Sequence, residues 1–284
     1  METGPLIDIT AISYTYPVLQ AKHATVRQPP ALDHVSLHIA QGEYLAVLGH
    51  NGSGKSTLAR HCNALLVPDE GRVLVAGVDT RDASKQHLVR DHVGLIMQNP
   101  DNQIIATVVE DDVAWGLAVR GFPKKLIRER VEFAMQAVGI SHLRSLPPHK
   151  LSGGQRQRVA IAGMLALQPL CIIADEATAM LDPLSRREIV ALLHLLNREY
   201  GLTIVHVTHL LEETAHAQRI IVMEHGHIVL EGTPADIFTQ VERLEALKLE
   251  IPAPIALVAY LRAVGLPVSA CAVSIEAIAQ ELSQ

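Results

Sequence analysis

Segments in which apolar and polar residues alternate predict a small antiparallel sheet near the start of the chain. Residues Leu32–Ile39 alternate strictly, as expected of a strand with one buried and one solvated face. Residues 7–16 alternate less regularly and predict a strand that ends at Pro17. Residues 71–77 are predicted to return to the same sheet.

Continuous apolar runs predict a second, parallel sheet whose strands are buried on both faces. The runs are Tyr44–Leu48, residues 93–98, residues 170–174 and Thr203–Thr208. Helical patterns at residues 56–66 and Pro183–Tyr200 lie between them. Two further strands, Arg219–Glu224 and residues 227–230, are joined by the turn His225-Gly226. Such alternation of strands and helices is typical of an α/β fold.

A helical block interrupts the alternation and predicts an inserted subdomain at about residues 99–167. Residues 108–138 favour two amphipathic helices, the second beginning at Pro123. A third helix is predicted to open at residues 151–155 and to run to about residue 167.

The turn between the first buried strand and its helix fits G-x-x-x-x-G-K-[ST]. Its residues are Gly49, His50, Asn51, Gly52, Ser53, Gly54, Lys55, Ser56 and Thr57. A strand–loop–helix of this kind points backbone N–H groups at one place, where they hold phosphate oxygens. Lys55 supplies charge to the β- and γ-phosphates, and the Ser56 hydroxyl is an oxygen ligand for Mg²⁺. The chain is therefore predicted to bind a nucleoside triphosphate.

Polar side chains at the ends of three other buried strands are predicted to face the same sheet edge. Asp175 is the candidate Mg²⁺ ligand, and Glu176 is the candidate that orients the attacking water. Gln98 is expected to contact Mg²⁺ or that water, and His209 to donate to the γ-phosphate. A metal site made by His206 and His209, which lie on one strand and its following turn, is rejected for want of a third ligand.

A second glycine-rich helix start is formed by Ser152, Gly153, Gly154 and Gln155. A capping serine, exposed backbone N–H groups and the helix dipole together favour an anion. The alternative is a plain helix cap, and the two adjacent glycines argue against it.

Composition narrows the function classes. The formal net charge of −6 argues against a nucleic-acid partner. The three cysteines, Cys62, Cys171 and Cys271, are far apart and suit a reducing compartment. No uncharged apolar run of about 18 residues occurs, and the start lacks a basic segment. We therefore expect neither a membrane span nor a signal peptide.

In their order along the chain, these motifs resemble those of the ATP-binding cassette (ABC) ATPases. The matching elements are Gly49 to Thr57 (Walker A), Gln98 (Q-loop), Leu151 to Gln155 (signature), Asp175-Glu176 (Walker B), Met180 to Asp182 (D-loop) and His209 (switch histidine). The resemblance covers about residues 5–240. It implies a P-loop NTPase fold with a parallel RecA-like core, an antiparallel β subdomain, an inserted helical subdomain and a C-terminal helical extension.

The resemblance also implies a head-to-tail dimer. Ser152 to Gln155 of one cassette would then close on ATP held by the phosphate loop of the other. Tyr16 occupies the position where the family stacks an aromatic ring on adenine, and Asp182 is expected at the nucleotide interface. The implied ligands are ATP and Mg²⁺.

A narrower similarity is to the first A-subunit type of energy-coupling-factor (ECF) transporters. It is carried by residues 49–52, 98–103 and 175–183 and by the C-terminal segment. It implies an ATPase that drives uptake of a vitamin or transition-metal ion through a transmembrane T-component and, through that, a substrate-binding S-component. The subunit would lie peripherally on the cytoplasmic face of the cell membrane.

Alternatives remain open at this stage. The chain could serve another type of ABC transporter, or be a soluble ABC ATPase without a transport role, and its dimer could be homomeric or heteromeric. Residues 1–240 are predicted to form the ATPase domain. Residues 241–284 are predicted to form a C-terminal helical extension, which either joins the two ATPase subunits or caps the core.

Overall fold

Two β-sheets organise the chain in the computed structural model, which describes residues 4–17, 29–266, 268–269 and 275–283. In chain order the strands are β1 (Ile7–Tyr14), β2 (Leu32–Ile39), β3 (Tyr44–Leu48), β4 (Glu70–Val75), β5 (Val78–Asp79), β6 (Val93–Ile96), β7 (Cys171–Asp175), β8 (Thr203–Thr208), β9 (Arg219–Glu224) and β10 (His227–Gly232). One sheet has the order β2-β1-β4-β5, and the other has the order β10-β9-β3-β8-β7-β6.

The first sheet is antiparallel, as predicted, because β1 pairs with β2 on one side and with β4 on the other. Strand β1 ends at Tyr14, two residues earlier than the alternation suggested. Its register shifts on both sides near Ala11, which has a φ of 46°. This irregularity explains the weaker alternation of the segment.

The second sheet has a parallel core in which β3 lies between β8 and β9, and β7 lies between β6 and β8. Every residue of β3 is buried. Tyr44, Ala46 and Leu48 join one hydrophobic core, and Leu45 and Val47 join the other. The sheet therefore separates two cores, which is why its central strands are apolar on both faces.

The helices follow the predicted order, with one addition at Gln86–His92. They are α1 (Lys55–Cys62), α2 (Gln86–His92), α3 (Val109–Val119), α4 (Lys124–Ala137), α5 (Gly153–Ala166), α6 (Pro183–Tyr200), α7 (Pro234–Phe238), α8 (Val241–Ala246), α9 (Ala253–Ala263) and α10 (Ile275–Leu282). Short 3₁₀ turns occur at Pro100–Asn102, Ser141–Leu143, Pro148–Lys150 and Leu211–Thr214. Helix α5 packs against α3 and α4, so the interruption of the strand–helix alternation is a helical block, as predicted.

Helix boundaries match the sequence where a cap is present. Helix α6 has Asp182 as its N-cap, Pro183 in its first turn and Gly201 at its C-terminal end, with a φ of 64°. Helix α1 ends at Cys62 rather than at residue 66. The chain turns there through Ala64, whose φ is 54°. The sequence has no glycine or proline at this turn that would predict the end of the helix.

The last helices pack in two places. Leu244, Leu249 and Ile255 join the core on one side of the parallel sheet, whereas Val258, Val268 and Ile278 form a small cluster of their own. Among the described residues, none of the helices combines the length and hydropathy that crossing a membrane requires. The domain boundary at residue 240 stays a prediction.

Candidate nucleotide site

The phosphate loop connects β3 to α1 and keeps its lysine close to its own backbone. Lys55 Nζ donates to the carbonyl of Gly49 at 2.7 Å and to that of His50 at 3.0 Å. The lysine is 4% exposed. Burial lowers its pKa, although the nearby carboxylates of Glu176 and Asp175 act in the opposite direction. The loop thus holds a desolvated ammonium group where phosphate oxygens would meet it.

Two loop glycines are required by the geometry. A Cβ on Gly49 would lie 2.5 Å from the carbonyl oxygen of Met223. Gly54 has a φ of 105°, and its Cβ would lie 2.7 Å from the carbonyl oxygen of Ala31. The loop backbone therefore packs closely against neighbouring segments, and Gly54 also adopts a conformation that L side chains disfavour.

Ser56 and Asp175 meet at the carboxyl edge of the parallel sheet, as predicted. The Ser56 hydroxyl donates to Asp175 Oδ1 at 2.8 Å. Burial raises the pKa of Asp175, and the hydrogen bond from Ser56 partly offsets this effect. A hydroxyl and a carboxylate are the hard oxygen donors that Mg²⁺ prefers, so the pair fits this ion.

Glu176 lies at the turn that follows β7. Its φ is 51°, in the left-handed region, which costs a non-glycine residue about 1–2 kcal/mol. Its backbone N–H donates to the carbonyl of Val207 at 2.9 Å, and its carboxylate lies 3.7 Å from Lys55 Nζ. A strained, anchored backbone places this carboxylate beside the lysine, as expected of a site residue.

The second glycine-rich helix start forms a capping box. Ser152 Oγ accepts from the backbone N–H of Gln155 at 3.2 Å, and Gln155 Oε1 accepts from the backbone N–H of Ser152 at 2.9 Å. A Cβ on Gly154 would lie 2.8 Å from Ser185 Oγ, so this glycine lets α5 approach α6. Capping and packing thus explain part of the motif. Ser152 is nevertheless exposed, and its anion contact stays a prediction.

The remaining predicted residues have different surroundings. Gln98 is exposed, two residues beyond β6. The Tyr16 hydroxyl lies 3.2 Å from Thr57 Oγ1, which places this ring beside the phosphate loop. Asp182 caps α6 by accepting from the backbone N–H groups of residues 184 and 185. The Ser185 side chain, together with these N–H groups, lowers the pKa of Asp182.

Comparison with known proteins identifies the family to which the chain belongs. A family model described as "ABC transporter" matches residues 32–179. The chain belongs to the ABC transporter family. It is 49% identical over 283 residues to an energy-coupling factor transporter ATP-binding protein, EcfA1, of Symbiobacterium thermophilum, covering 99% of this chain and 98% of that protein. The protein of the same name from Clostridioides difficile is 43% identical, with 98% and 99% covered.

Solved structures agree with this assignment. The structure of cbiO1 from Clostridium perfringens, described as part of the ABC transporter complex cbiONQ, has a TM-score of 0.77 and 34% identity, covering 90% of this chain and 99% of that one. A dimeric ATP-binding cassette in a post-hydrolysis state with ADP and Pi has a TM-score of 0.70 and 30% identity, covering 80% and 98%. The predicted cassette fold, the ATPase assignment and the resemblance to ECF ATP-binding subunits are confirmed.

The cassette also contains a buried acidic residue that the motifs did not predict. Glu213, which is 3% exposed, accepts from the hydroxyl of Thr178 at 2.7 Å and from the hydroxyl of Thr208 at 2.6 Å. His206 Nε2 and Arg186 Nε lie 3.4 Å and 3.7 Å from its carboxylate. Burial opposes ionisation, but the contacts with His206, Thr208 and Thr178 outweigh it and lower the pKa of Glu213.

Glu213 connects the two segments on which the predicted catalytic side chains lie. Thr178 follows Glu176 by two residues, and Thr208 directly precedes His209. The Nδ1 atom of His209 is buried and makes no hydrogen bond within the described part of the chain. The sequence gives little sign of this role for Glu213, because Glu213 is adjacent to Glu212 and two adjacent glutamates are typical of a solvent-exposed segment.

Proposed function

We propose that this cassette is the ATP-hydrolysing subunit of an energy-coupling-factor importer, driving uptake of a vitamin or transition-metal ion. The observation that carries the proposal is the similarity to ECF ATP-binding proteins over 99% of the chain. The grouping of Lys55, Asp175 and Glu176 at one sheet edge supports it. A soluble ABC ATPase without a transport role would share this edge, but not the full-length similarity.

In the proposed reaction the protein mainly positions charge, as phosphoryl transfer requires. Lys55 neutralises the β- and γ-phosphates, and the loop N–H groups hold their oxygens. Ser56 and Asp175 would hold Mg²⁺, which supplies charge neutralisation between the phosphates. Glu176 accepts a hydrogen bond from the attacking water and aligns it.

Three further residues complete the proposed site. His209 donates to the γ-phosphate, and Gln98 reaches Mg²⁺ or the water when the exposed loop after β6 moves in. The ring of Tyr16, already beside the phosphate loop, stacks on adenine.

A second cassette is needed for the signature segment to act. Ser152 is exposed at the start of α5, where the helix dipole favours an anion. We propose that Ser152 to Gln155, together with Asp182, face ATP held by a partner cassette, which is either identical or homologous. The dimeric structure with ADP and Pi supports such an arrangement.

The membrane partners follow from the same proposal. The cassette would dock on a transmembrane T-component at the cytoplasmic face, and through it act on an S-component that selects the cargo. Closure on ATP and opening after hydrolysis would transmit motion to the T-component, because a ligand favours the state that binds it better.

Co-purification from native membranes tests the transport role. The chain, solubilised in mild detergent, should be recovered with a second ATPase subunit and a multi-span membrane protein, and ATP hydrolysis should accompany that complex. A Lys55→Ala chain should be recovered with the same membrane protein but without hydrolysis. Recovery with soluble proteins alone would contradict the proposal.

A further inference from the structure

Two histidines and a glutamate meet beside the phosphate loop, and only His50 among them belongs to the predicted nucleotide-binding residues. His50 belongs to the loop, Glu224 is the last residue of β9, and His225 lies in the turn between β9 and β10. One ligand atom from each side chain lies within 4.8 Å of the other two. The His50 and His225 rings are 5.7 Å apart between centroids. We propose that these three side chains form a binding site for a transition-metal cation of the Zn²⁺ type.

The donor set selects the class of cation. Two imidazoles and one carboxylate suit Zn²⁺, Co²⁺ or Ni²⁺, whereas Mg²⁺ and Ca²⁺ prefer oxygen donors alone. In a tetrahedral site with bonds of about 2.0–2.2 Å, ligand atoms lie about 3.4 Å apart. Starting from separations within 4.8 Å, partly exposed side chains reach this spacing by small rotations. Three protein ligands leave one position for water.

A backbone hydrogen bond fixes one ring nitrogen of His50. Its Nδ1 lies 2.7 Å from the carbonyl oxygen of Asn51. Because a carbonyl can only accept, Nδ1 carries the proton and donates, so Nε2 keeps its lone pair. Metal-binding histidines commonly donate their second ring N–H to a backbone carbonyl, which fixes the ring and the tautomer.

The other two side chains are uncommitted. Within the described ranges, neither the Glu224 carboxylate nor the His225 ring forms a hydrogen bond or an ion pair. The φ values of His225 and Gly226 are 46° and 81°, the two positive values of a type I′ hairpin turn. This turn normally favours asparagine before the glycine, so histidine at position 225 is a departure that adds an imidazole beside His50.

The location connects this site to the nucleotide loop. The backbone N–H of Gly226 donates to the carbonyl of Ser53 at 3.0 Å, so the turn and the loop are already in contact. The carbonyl of His50 accepts from Lys55 Nζ. A cation held by these side chains therefore joins the turn to the segment that positions the lysine. The inference depends on neither the transported cargo nor the partner subunits.

Cobalt and zinc binding test the site. The full chain without a histidine tag is stripped of metal and titrated with Co²⁺, whose visible absorption reports coordination geometry, and with Zn²⁺ against a chromophoric chelator. We expect one equivalent with a tetrahedral Co²⁺ spectrum. His225→Asn should weaken Zn²⁺ binding at least about tenfold, because it removes one of three ligands. It preserves the turn, since Asn-Gly is the preferred type I′ pair.

Two controls separate this site from the other histidines, of which the chain has 15 in all. His227→Asn changes a histidine of the same hairpin that lies 3.5 Å from Asp33 instead, and it should bind Zn²⁺ like the unchanged chain. With Mg²⁺ present and no transition metal added, ATP hydrolysis by His225→Asn should equal that of the unchanged chain. Equal Zn²⁺ affinity of the His225→Asn chain and the unchanged chain, or a Co²⁺ spectrum that stays octahedral, would overturn the proposal.

Discussion

Replacing Glu213 with glutamine tests whether its buried carboxylate positions the two segments that contain Glu176 and His209. The substitution keeps the shape of the side chain and removes its charge. Glu213 accepts hydrogen bonds from Thr178 and Thr208. Hydrogen bonds to a charged group contribute about 1.5–3 kcal/mol and neutral ones about 0.5–1.5 kcal/mol. Glutamine has one acceptor oxygen, so one threonine hydroxyl must turn round and accept from its amide group, while both hydrogen bonds become neutral. The free energy of unfolding should therefore fall by about 2–3 kcal/mol.

The same substitution should affect turnover more than binding. Thr208 directly precedes His209, and a displacement of about 1 Å near a reacting group can reduce the rate about 100-fold. We expect kcat for ATP hydrolysis to fall about 10- to 100-fold, while the Kd for ATP stays unchanged because the phosphate loop is not touched. Urea unfolding, steady-state hydrolysis and equilibrium nucleotide binding measure the three quantities.

Asn197→Ala is the matched control. Asn197 is also buried and donates two hydrogen bonds, to the carbonyls of Gly42 and Leu202, away from the predicted catalytic residues. The Asn197→Ala chain should lose about as much free energy of unfolding as Glu213→Gln, and its kcat should equal that of the unchanged chain. If Glu213→Gln behaves like this control, Glu213 stabilises the fold without positioning His209, and the reasoning is refuted.

The pH dependence of stability gives an independent check on Glu213. Its pKa in the folded state is below the ordinary value of 4.5. Its stabilisation is therefore complete above pH 4.5 and is lost as the pH falls through the lower, folded-state pKa. The difference in unfolding free energy between the unchanged chain and Glu213→Gln should shrink below pH 4.5. A difference that grows on acidification would contradict the assigned contacts.

The remaining predictions concern the phosphate loop and the Walker B carboxylate. Lys55→Ala should weaken ATP binding in a fluorescence titration. Glu176→Gln should bind ATP normally, hydrolyse it slowly and accumulate ATP-bound dimers, which size-exclusion chromatography detects. Equal rates of hydrolysis by Glu176→Gln and the unchanged chain would contradict the role of Glu176. Gly54→Ala should lose at least about 2 kcal/mol of unfolding free energy in urea, because its left-handed backbone and its contact with Ala31 exclude a Cβ. Gly163→Ala, with open space around it, should lose none.

Much of the fold was predictable because local signals agreed with one another. The buried strands β3 and β8 and the capped helix α6 have the predicted bounds. Helix α2 and the two-residue strand β5 were not predicted, since Gln86–His92 is short and mostly polar and Val78–Asp79 is too short for any period. The predicted end of α1 was wrong by four residues, because the turn that follows the helix depends on tertiary packing.

The site was predictable as far as it depends on motifs at strand ends. Ser56 and Asp175 are 119 positions apart and form a hydrogen bond, because parallel strands end at one edge. Glu213 could not be predicted in the same way, since its role depends on which hydroxyls surround it after folding. The role of Asp182 as the N-cap of α6 was likewise not predicted, because its motif indicated a place at the nucleotide interface instead.

The position of Ser152 in an ATP-bound assembly tests the central claim most directly. A structure of the Glu176→Gln chain, in the complex recovered from membranes and with ATP and Mg²⁺, should show ATP between two cassettes. The account predicts that Lys55 contacts the phosphates of one ATP and that Ser152 contacts the γ-phosphate of the ATP bound to the partner cassette. A structure in which Ser152 faces away from every phosphate would contradict it.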